Sequence, residues 1–261
     1  MSANSAVITV KDLSFSYDNK RVLEGLDISL EKGKITTIMG ANGCGKSTLL
    51  GILTKQLPLK QGTVMINGQD IKTIKVKAFA KQIAVVHQYH QVIDDMMVGE
   101  LVAMGRFAHQ PFLKGASSTD QEIVEWALQV TDLQDLVFRE IRHLSGGEKQ
   151  RVWIAMALAQ KTDILFLDEP TTYLDIKYQL DILKLIAKIN QELGITIIMV
   201  LHDINQALSL SDQIIGLKEG KVYAQGKPET VLNQDFIQAV FGVTLPVVEK
   251  AGKQFVITSL T

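Results

Sequence analysis

A chain of 261 residues with 46% hydrophobic and 21% charged residues has the balance of a folded globular protein, and it is long enough to bury a substantial core. Its formal net charge of −1 excludes a global positive field that could hold nucleic acid or an acidic membrane surface, so anions must bind at a local site. The single cysteine excludes an internal disulfide, and no apolar run approaches the roughly 20 residues that cross a bilayer.

Short apolar or alternating segments predict strands towards both ends of the chain, and segments with helical spacing lie between and after them. The predicted strands are residues 7–13, 22–30, 34–39, 63–66, 83–87, 164–167, 196–201, 213–217 and 221–224. The predicted helices are residues 47–56, 98–105, 120–131, 147–159 and 176–193. Strands alternate with helices in the outer thirds, which indicates an α/β fold with a parallel sheet covered by helices, whereas the middle third is mostly helical.

A glycine-rich segment, Gly-Ala-Asn-Gly-Cys-Gly-Lys-Ser at residues 40–47, fits the phosphate-loop pattern G-x-x-x-x-G-K-[ST]. Its glycines permit torsions that turn successive N–H groups toward one anion, and the following helix adds its positive end. An ordinary glycine-rich turn is the alternative, and the strand before it and the helix after it argue against that. The predicted contacts to the nucleotide are Gly40, Ala41, Asn42, Gly43, Cys44, Gly45, Lys46, Ser47 and Thr48.

Three side chains of this segment carry further expectations. Lys46 should neutralise β- and γ-phosphate charge and face solvent when no nucleotide is bound, and the Ser47 hydroxyl should ligate Mg²⁺. Cys44 lies near an ammonium group and a helix start, which predicts a reactive thiolate that ATP would shield. The alternative is a thiol that points into the core and is inert.

A second motif follows the apolar residues 164–167, where the predicted strand ends at Asp168 and Glu169. A carboxylate at this edge of a parallel sheet lies beside the phosphate loop and can hold Mg²⁺ through water. Adjacent residues of an extended chain point apart, so Asp168 is assigned to the metal and Glu169 to the attacking water. A solvated acidic turn before Pro170 is the alternative.

The segment Leu-Ser-Gly-Gly-Glu at residues 144–148 supports two interpretations. Ser145 and Glu148 have the spacing of a helix capping box. Gly146 and Gly147 would leave N–H groups at a helix start open to a phosphate, which indicates a second anion site. Both interpretations can hold at once.

A histidine, His202, follows the predicted strand 196–201. It could donate a hydrogen bond to a γ-phosphate oxygen, or it could cap the next helix. Its place after a core strand favours the first role, because ligands gather at that edge of such sheets.

Together these motifs resemble those of the ATP-binding-cassette (ABC) family, over residues 7 to about 226. The Leu-Ser-Gly-Gly segment is decisive because other phosphate-loop ATPases lack it. The resemblance implies a phosphate-loop ATPase core of α/β class, with a mixed or parallel sheet, an N-terminal antiparallel β part and an inserted helical subdomain. It implies one domain over residues 1–261: a catalytic core at about 1–88 and 161–226, a helical subdomain at about 89–160 and a C-terminal extension at about 227–261.

The resemblance also implies a role for each matching residue. Tyr17 would stack on adenine, and Gln88 would reach the Mg²⁺ and the attacking water. Residues 174–175, Leu-Asp, would touch a partner subunit. The catalytic set is then Glu169, His202 and Gln88, and the metal set is Ser47, Gln88 and Asp168. The nucleotide set gains Tyr17, Ser145, Gly146 and Gly147.

Weaker signals are similar to the branch of the family that serves importers of iron–siderophores, haem or cobalamin. Thr172 and Tyr173 stand where many members have Ser-Ala, and residues 98–106, 226–232 and 240–242 also resemble this branch. Iron–siderophore uptake is the expected function. Import of haem, cobalamin or another metal is the alternative, and a soluble ABC ATPase that acts on nucleic acid or ribosomes is a more distant one.

The family pattern implies ATP and Mg²⁺ as ligands and a homodimer that holds ATP between its subunits. Membrane-spanning permease subunits would dock near residues 88–97, and an extracytoplasmic substrate-binding protein would act indirectly. Nucleic acid is not an expected partner. The expected location is the cytoplasmic face of the cell membrane, with attachment through the permease.

Overall fold

The computed structural model describes residues 6–88, 95–110 and 116–258. Its strands are β1 (Ala6–Tyr17), β2 (Lys20–Glu31), β3 (Ile35–Gly40), β4 (Gln61–Ile66), β5 (Gln69–Asp70), β6 (Ile83–Val86), β7 (Ile164–Asp168), β8 (Thr196–Val200), β9 (Gln213–Lys218), β10 (Lys221–Gly226), β11 (Val247–Lys250) and β12 (Lys253–Val256). Its helices are α1 (Lys46–Leu53), α2 (Val76–Phe79), α3 (Val98–Met104), α4 (Ser118–Val130), α5 (Gly146–Ala159), α6 (Ile176–Leu193), α7 (Ile204–Leu210), α8 (Pro228–Val231) and α9 (Gln234–Phe241), with short 3₁₀ turns at Gln134–Leu136 and Ile141–His143.

Each strand and helix predicted from the sequence is present, and α6 has the predicted bounds. Among the predicted helices the largest difference is at α1, which ends at Leu53 rather than at residue 56. Lys55 takes a left-handed backbone conformation with φ 61°, and its N–H turns back to the Ile52 carbonyl at 3.1 Å. That is the hydrogen-bond pattern with which a helix closes. Short elements such as α2, β5 and the β11–β12 pair were not predicted.

The chain divides into two compact units, Met1–Ile74 with Thr196–Thr261, and Lys75–Ile195. The first unit contains an antiparallel sheet in the order β2-β1-β4-β5. Strands β1 and β2 are joined at Asp18 and Asn19, and Asp18 has a φ of 47°, which a two-residue hairpin turn requires. Strand β2 alternates buried with exposed residues, so only one face of it meets the core.

A second set of strands in the first unit runs in the order β10-β9-β3-β8, with β3 parallel to both β8 and β9. Every residue of β3 and of β8 is buried, which explains their continuous apolar character. Because these strands are parallel, their carboxyl ends meet at one edge, where the phosphate-loop segment begins.

The second unit pairs β6 with β7 in parallel, and α5 packs against β6. Helices α3, α4 and α5 contact one another, and α5 also contacts α6. The fold is therefore α/β, with parallel strands and an N-terminal antiparallel part, as the sequence predicted. Within residues 6–88, 95–110 and 116–258, no helix has the length and apolar character needed to cross a bilayer.

A buried ion pair holds the helical layer of the second unit together. Arg106 donates from Nε to Asp120 Oδ1 at 2.8 Å and from Nη1 to the Ala159 carbonyl at 2.8 Å. The other carboxylate oxygen of Asp120 accepts from the backbone N–H of Ser117 at 3.0 Å and from its hydroxyl at 2.8 Å. Both charged side chains are buried, so the pair is shielded from solvent.

We expect Asp120→Asn to lower the free energy of unfolding by about 3–5 kcal/mol, because it leaves the Arg106 guanidinium buried without its counter-charge. Hydrogen bonds from Ser117, and then from Arg106, lower the pKa of Asp120 from 3.8 to about 2. The stabilisation is therefore complete above about pH 4 and is lost as the pH falls through about 2. Denaturant unfolding at several pH values measures both effects. Glu122→Gln, an exposed change on α4, is the control, and an equal loss in both variants would contradict the prediction.

Candidate nucleotide site

The glycine-rich loop lies between β3 and α1, and two of its glycines are required by their surroundings. A Cβ at Gly40 would lie 2.4 Å from the Leu217 carbonyl oxygen. Gly45 has a φ of 109°, and a Cβ there would lie 2.5 Å from a methyl carbon of Leu23. The loop then enters α1 at Lys46. A curved backbone of this kind in front of a helix is the geometry that binds phosphate groups.

Lys46 differs from its prediction, because its side chain is buried, with 6% of its surface exposed. The ammonium group donates to the Gly40 carbonyl at 2.8 Å and to the Ala41 carbonyl at 3.0 Å. The expectation of a solvent-facing lysine is wrong, because a buried ammonium must be paired and the loop supplies two carbonyl acceptors. Phosphate oxygens can take over from these carbonyls as acceptors.

The remaining predicted contacts of the loop divide by exposure. The exposed ones are Ala41, Asn42, Gly43 and Ser47, and the buried ones are Gly40, Cys44, Gly45, Lys46 and Thr48. Ser47 is therefore accessible to solvent in the first turn of α1, as its predicted role of metal ligand requires.

Cys44 lies beneath the loop rather than on its surface. Its side chain is 6% exposed, and a Cβ added at Gly40 would lie 2.6 Å from its Sγ. Burial raises the pKa of the Cys44 thiol above its ordinary 9.0, although the Lys46 ammonium acts in the opposite direction. The expectation of a reactive thiolate is therefore wrong, and the buried alternative describes the structure.

We expect N-ethylmaleimide to modify Cys44 in the folded protein at least roughly tenfold more slowly than in the chain unfolded by guanidinium. Adding ATP should change the slow rate little, because the thiol is buried without nucleotide. Mass spectrometry of the labelled peptide measures both rates. Rapid labelling that ATP suppresses would restore the original expectation of an exposed thiolate.

Two other predicted residues lie in the same unit as the loop. Tyr17 ends β1 with 45% of its surface exposed, and its ring meets Phe15 edge-on with centroids 4.9 Å apart. This contact holds the ring while leaving surface for a flat partner.

The register of the parallel strands pairs Ile38 with Val200, so Gly40 and His202 each come two residues after a matched pair. His202 therefore lies at the sheet edge from which the loop departs.

The structure assigns the cap of the helix after His202 to another residue. Helix α7 is capped by Asp203, whose side chain accepts a hydrogen bond from the Gln206 N–H at 2.9 Å. Because Asp203 holds the capping position, the capping alternative does not apply to His202, whose side chain is exposed.

The second unit assembles the predicted base and its glutamine. Val86 pairs with Leu167, and Gln88 and Glu169 each follow two residues later. Gln88 Nε2 donates to Glu169 Oε2 at 2.6 Å. The pairing of β6 with β7 thus brings together two residues that are 81 positions apart in the sequence. Asp168 is the last residue of β7, and its side chain is half-buried.

Thr172 also contacts this site, which its place in the sequence did not predict. Its hydroxyl donates to Glu169 Oε2 at 3.0 Å, so that oxygen accepts from both Gln88 and Thr172. Residues 172–173 depart from the family pattern, and this was the sequence signal at the position, but residue spacing alone does not predict the contact.

The Leu-Ser-Gly-Gly-Glu segment forms the capping box at the start of α5. The Glu148 N–H bonds the Ser145 hydroxyl at 3.3 Å, and the Ser145 N–H bonds Glu148 Oε2 at 2.7 Å. The Ser145 N–H lowers the pKa of the Glu148 carboxyl, because it stabilises the charged form. Gly147 has a second reason to be glycine, because a Cβ there would lie 2.4 Å from the ring of Tyr178.

Each unit therefore carries its own group of predicted residues. The first unit holds the phosphate loop, Tyr17 and His202. The second unit holds Gln88, Asp168, Glu169, Ser145, Gly146, Gly147 and the segment of residues 174–175. Of the predicted permease-docking segment at residues 88–97, residues 89–94 lie outside the described part of the chain.

Sequence comparison assigns relatives over nearly the whole chain. Residues 23–172 match the ABC transporter family. The chain is 41% identical over 249 residues to the petrobactin import ATP-binding protein FpuC of Bacillus anthracis, covering 95% of this chain and 92% of that protein. It is 42% identical over 241 residues to the iron(3+)-hydroxamate import ATP-binding protein FhuC of Bacillus subtilis, covering 92% and 90%. It is 39% identical over 249 residues to the ferric enterobactin transport ATP-binding protein FepC of Escherichia coli, covering 95% and 92%.

Solved structures agree with the sequence relatives. A metal-chelate type ABC transporter in an inward-facing conformation superposes with a TM-score of 0.84 at 27% identity, covering 96% of each chain. A bacterial ABC transporter cassette solved as a dimer superposes with a TM-score of 0.73 at 29% identity, covering 85% of this chain and 98% of that one. With its phosphate loop, its Leu-Ser-Gly-Gly helix and these relatives, the chain belongs to the ABC transporter family, as one of its ATP-binding ATPase proteins.

Proposed function

We propose that this chain is the ATP-hydrolysing subunit of an ABC importer and that its ATP cycle drives uptake of a metal chelate. The chelate we propose is a ferric siderophore. The observation that carries the ATPase assignment is the contact between Gln88 and Glu169, which holds a carboxylate at the end of a core strand. The cargo class is supported by relatives whose names specify petrobactin, iron(3+)-hydroxamate and ferric enterobactin.

In the proposed reaction the phosphate loop binds the β- and γ-phosphates of ATP and Tyr17 stacks on the adenine. Lys46 exchanges its carbonyl acceptors for phosphate oxygens and neutralises their charge. Glu169 accepts a proton from the water that attacks the γ-phosphate in line, while Gln88 and His202 position the reacting groups. The products are ADP and phosphate.

The proposed metal cofactor is Mg²⁺, held by Ser47, Gln88 and Asp168. The donors fit this ion, because a hydroxyl, an amide carbonyl and a carboxylate supply the oxygen ligands that Mg²⁺ prefers. When bound, Mg²⁺ would neutralise phosphate charge as the transferred group separates.

We further propose that two copies of the chain act together, with ATP between the phosphate loop of one and Ser145, Gly146 and Gly147 of the other. The N-terminal end of α5 would then face phosphate, which is compatible with its capping box, since that box uses the N–H groups of Ser145 and Glu148. The related cassette that was solved as a dimer supports this arrangement.

The chain is proposed to form one ABC ATPase domain. Its catalytic core would comprise about residues 1–88 and 161–226, its helical subdomain about 89–160 and its C-terminal extension about 227–261. The mutual packing of α3, α4 and α5 supports the helical subdomain. The permease would dock near residues 88–97 and hold the chain at the cytoplasmic face of the membrane, and an extracytoplasmic binding protein would deliver the cargo to the permease.

Uptake measurements test this function and the cargo together. Cells that lack the chain should lose uptake of radiolabelled ferric siderophore and regain it with the wild-type chain, but not with Glu169→Gln. Haem and cobalamin uptake, measured in the same cells, serve as controls. If haem uptake or cobalamin uptake were lost instead, that compound would be the cargo. Unchanged uptake of all three, with an ATPase that nucleic acid or ribosomes stimulate, would contradict the importer assignment.

A further inference from the structure

The carboxylate of Glu169 has a second hydrogen-bond donor that none of the recognised motifs accounts for. Thr172 Oγ1 lies 3.0 Å from Glu169 Oε2, the same oxygen that accepts from Gln88 Nε2 at 2.6 Å. Two donors on one oxygen hold that oxygen in place, and hydrogen bonds to a charged carboxylate are stronger than those between neutral groups. The two donors come from different places in the chain, so they constrain Glu169 independently.

The backbone places the Thr172 hydroxyl at this position. The Thr172 N–H bonds the Glu169 carbonyl at 3.2 Å, which closes a four-residue turn with Pro170 at its second position. A turn of this kind brings its first and fourth residues together, so the hydroxyl of one faces the carboxylate of the other.

Glu169 itself has a φ of 50°, the left-handed conformation that is unfavourable for a residue other than glycine. Backbone strain of this kind persists where the surrounding contacts over-determine it, and it clusters at functional sites. The turn hydrogen bond and the Thr172 hydroxyl are two such contacts at Glu169.

Thr172 differs from Gln88 in how it is connected to the base. Gln88 reaches Glu169 from the end of β6, and in the proposed reaction its amide also serves the metal and the water. Thr172 belongs to the same turn as Glu169, so its contact persists when Gln88 changes partners. The side chain of Thr172 is half-buried, which limits competition from solvent for this hydrogen bond.

We propose that Thr172 is a positioning residue for ATP hydrolysis: its hydroxyl holds the Glu169 carboxylate in the orientation that accepts the proton of the attacking water. This inference rests on the proposed role of Glu169 as the base. Thr172 itself touches neither ATP nor water in this role, so its effect should appear in kcat rather than in nucleotide affinity.

Thr172→Val removes the hydroxyl and keeps the shape of the side chain. A lost hydrogen bond to a charged group should lower kcat roughly 10- to 100-fold and leave the KM for ATP within about twofold of wild type. Thr172→Ser keeps the hydroxyl and is the matched control, which should retain turnover within about threefold. Thr172→Ala should repeat the valine result, so the test remains decisive if the valine variant fails to fold.

Combining these changes with Glu169→Gln separates positioning from other effects. If Thr172 acts through the carboxylate, Thr172→Val should lower the residual turnover of Glu169→Gln by no more than about twofold. Full kcat in Thr172→Val, or an equal loss in the serine variant, would overturn the inference while leaving the role of Glu169 intact. Wild-type turnover in Glu169→Gln alone would instead overturn the proposed base, and the role of Thr172 with it.

Discussion

Glu169→Gln is expected to lower ATP turnover of the purified chain by roughly 10²–10⁴-fold while ATP binding persists. An amide cannot accept the proton of the attacking water, but it keeps the size of the side chain and an oxygen that can still accept from Gln88 and Thr172. Since ATP is bound but not consumed, the variant should accumulate as a long-lived dimer with ATP and Mg²⁺. Steady-state turnover measures the first effect and size-exclusion chromatography the second.

The matched control is Glu192→Gln, which makes the same chemical change at an exposed position near the end of α6. That variant should turn over ATP at the wild-type rate and show no additional dimer. Turnover of Glu169→Gln close to that of wild type would show that Glu169 is not the base. Loss of ATP binding in Glu169→Gln would instead indicate that the change had disturbed the nucleotide site.

Lys46→Ala is expected to weaken ATP binding by roughly 30- to 5,000-fold, which corresponds to about 2–5 kcal/mol for truncating one partner of a desolvated charge pair. The physical reason is the loss of the one loop ammonium that can meet the β- and γ-phosphates. Isothermal titration calorimetry with ATP and Mg²⁺ measures the change. Lys46→Met retains the apolar stem that is buried here and should lose affinity to a similar extent.

Lys55→Ala is a close control for Lys46→Ala. It removes an ammonium group that is bound to backbone carbonyls in a similar way but lies outside the phosphate loop. The Lys55 ammonium also donates to two backbone carbonyls, those of Ile71 at 2.9 Å and Ile74 at 2.5 Å, in the same unit but outside the phosphate loop. We expect Lys55→Ala to lose stability but to bind ATP with wild-type affinity. Unchanged ATP affinity in a folded Lys46→Ala protein would contradict the phosphate-loop assignment.

Local patterns in the sequence were sufficient to find the strands, the longer helices and the motif residues. The phosphate loop could be recognised because glycines are needed where backbone must curve tightly, and Gly40 and Gly45 meet neighbours that would clash with any side chain. The family resemblance assigned Gln88 and Glu169 to one catalytic set, but it did not predict the contact between them. Its geometry follows from the register of two parallel strands, which residue spacing alone does not specify.

The capping box at Ser145 is an intermediate case, because both of its residues lie within one helical turn. The spacing therefore predicted the contact correctly. The same spacing could not show that Gly147 packs against the ring of Tyr178, since that contact depends on where α6 lies against α5.

The sequence by itself determined that this chain has a nucleotide-binding α/β core with an ABC motif set, because those features depend on neighbouring residues and on local backbone torsions. Only the tertiary structure decided which side chains are exposed. Cys44 and Lys46 were expected at the surface of the loop, and both are buried beneath it. Thr172 meets the carboxylate of Glu169 because a turn closes between them. Burial and side-chain hydrogen bonds are set by the packing of distant segments, and that information is not present in any short stretch of residues.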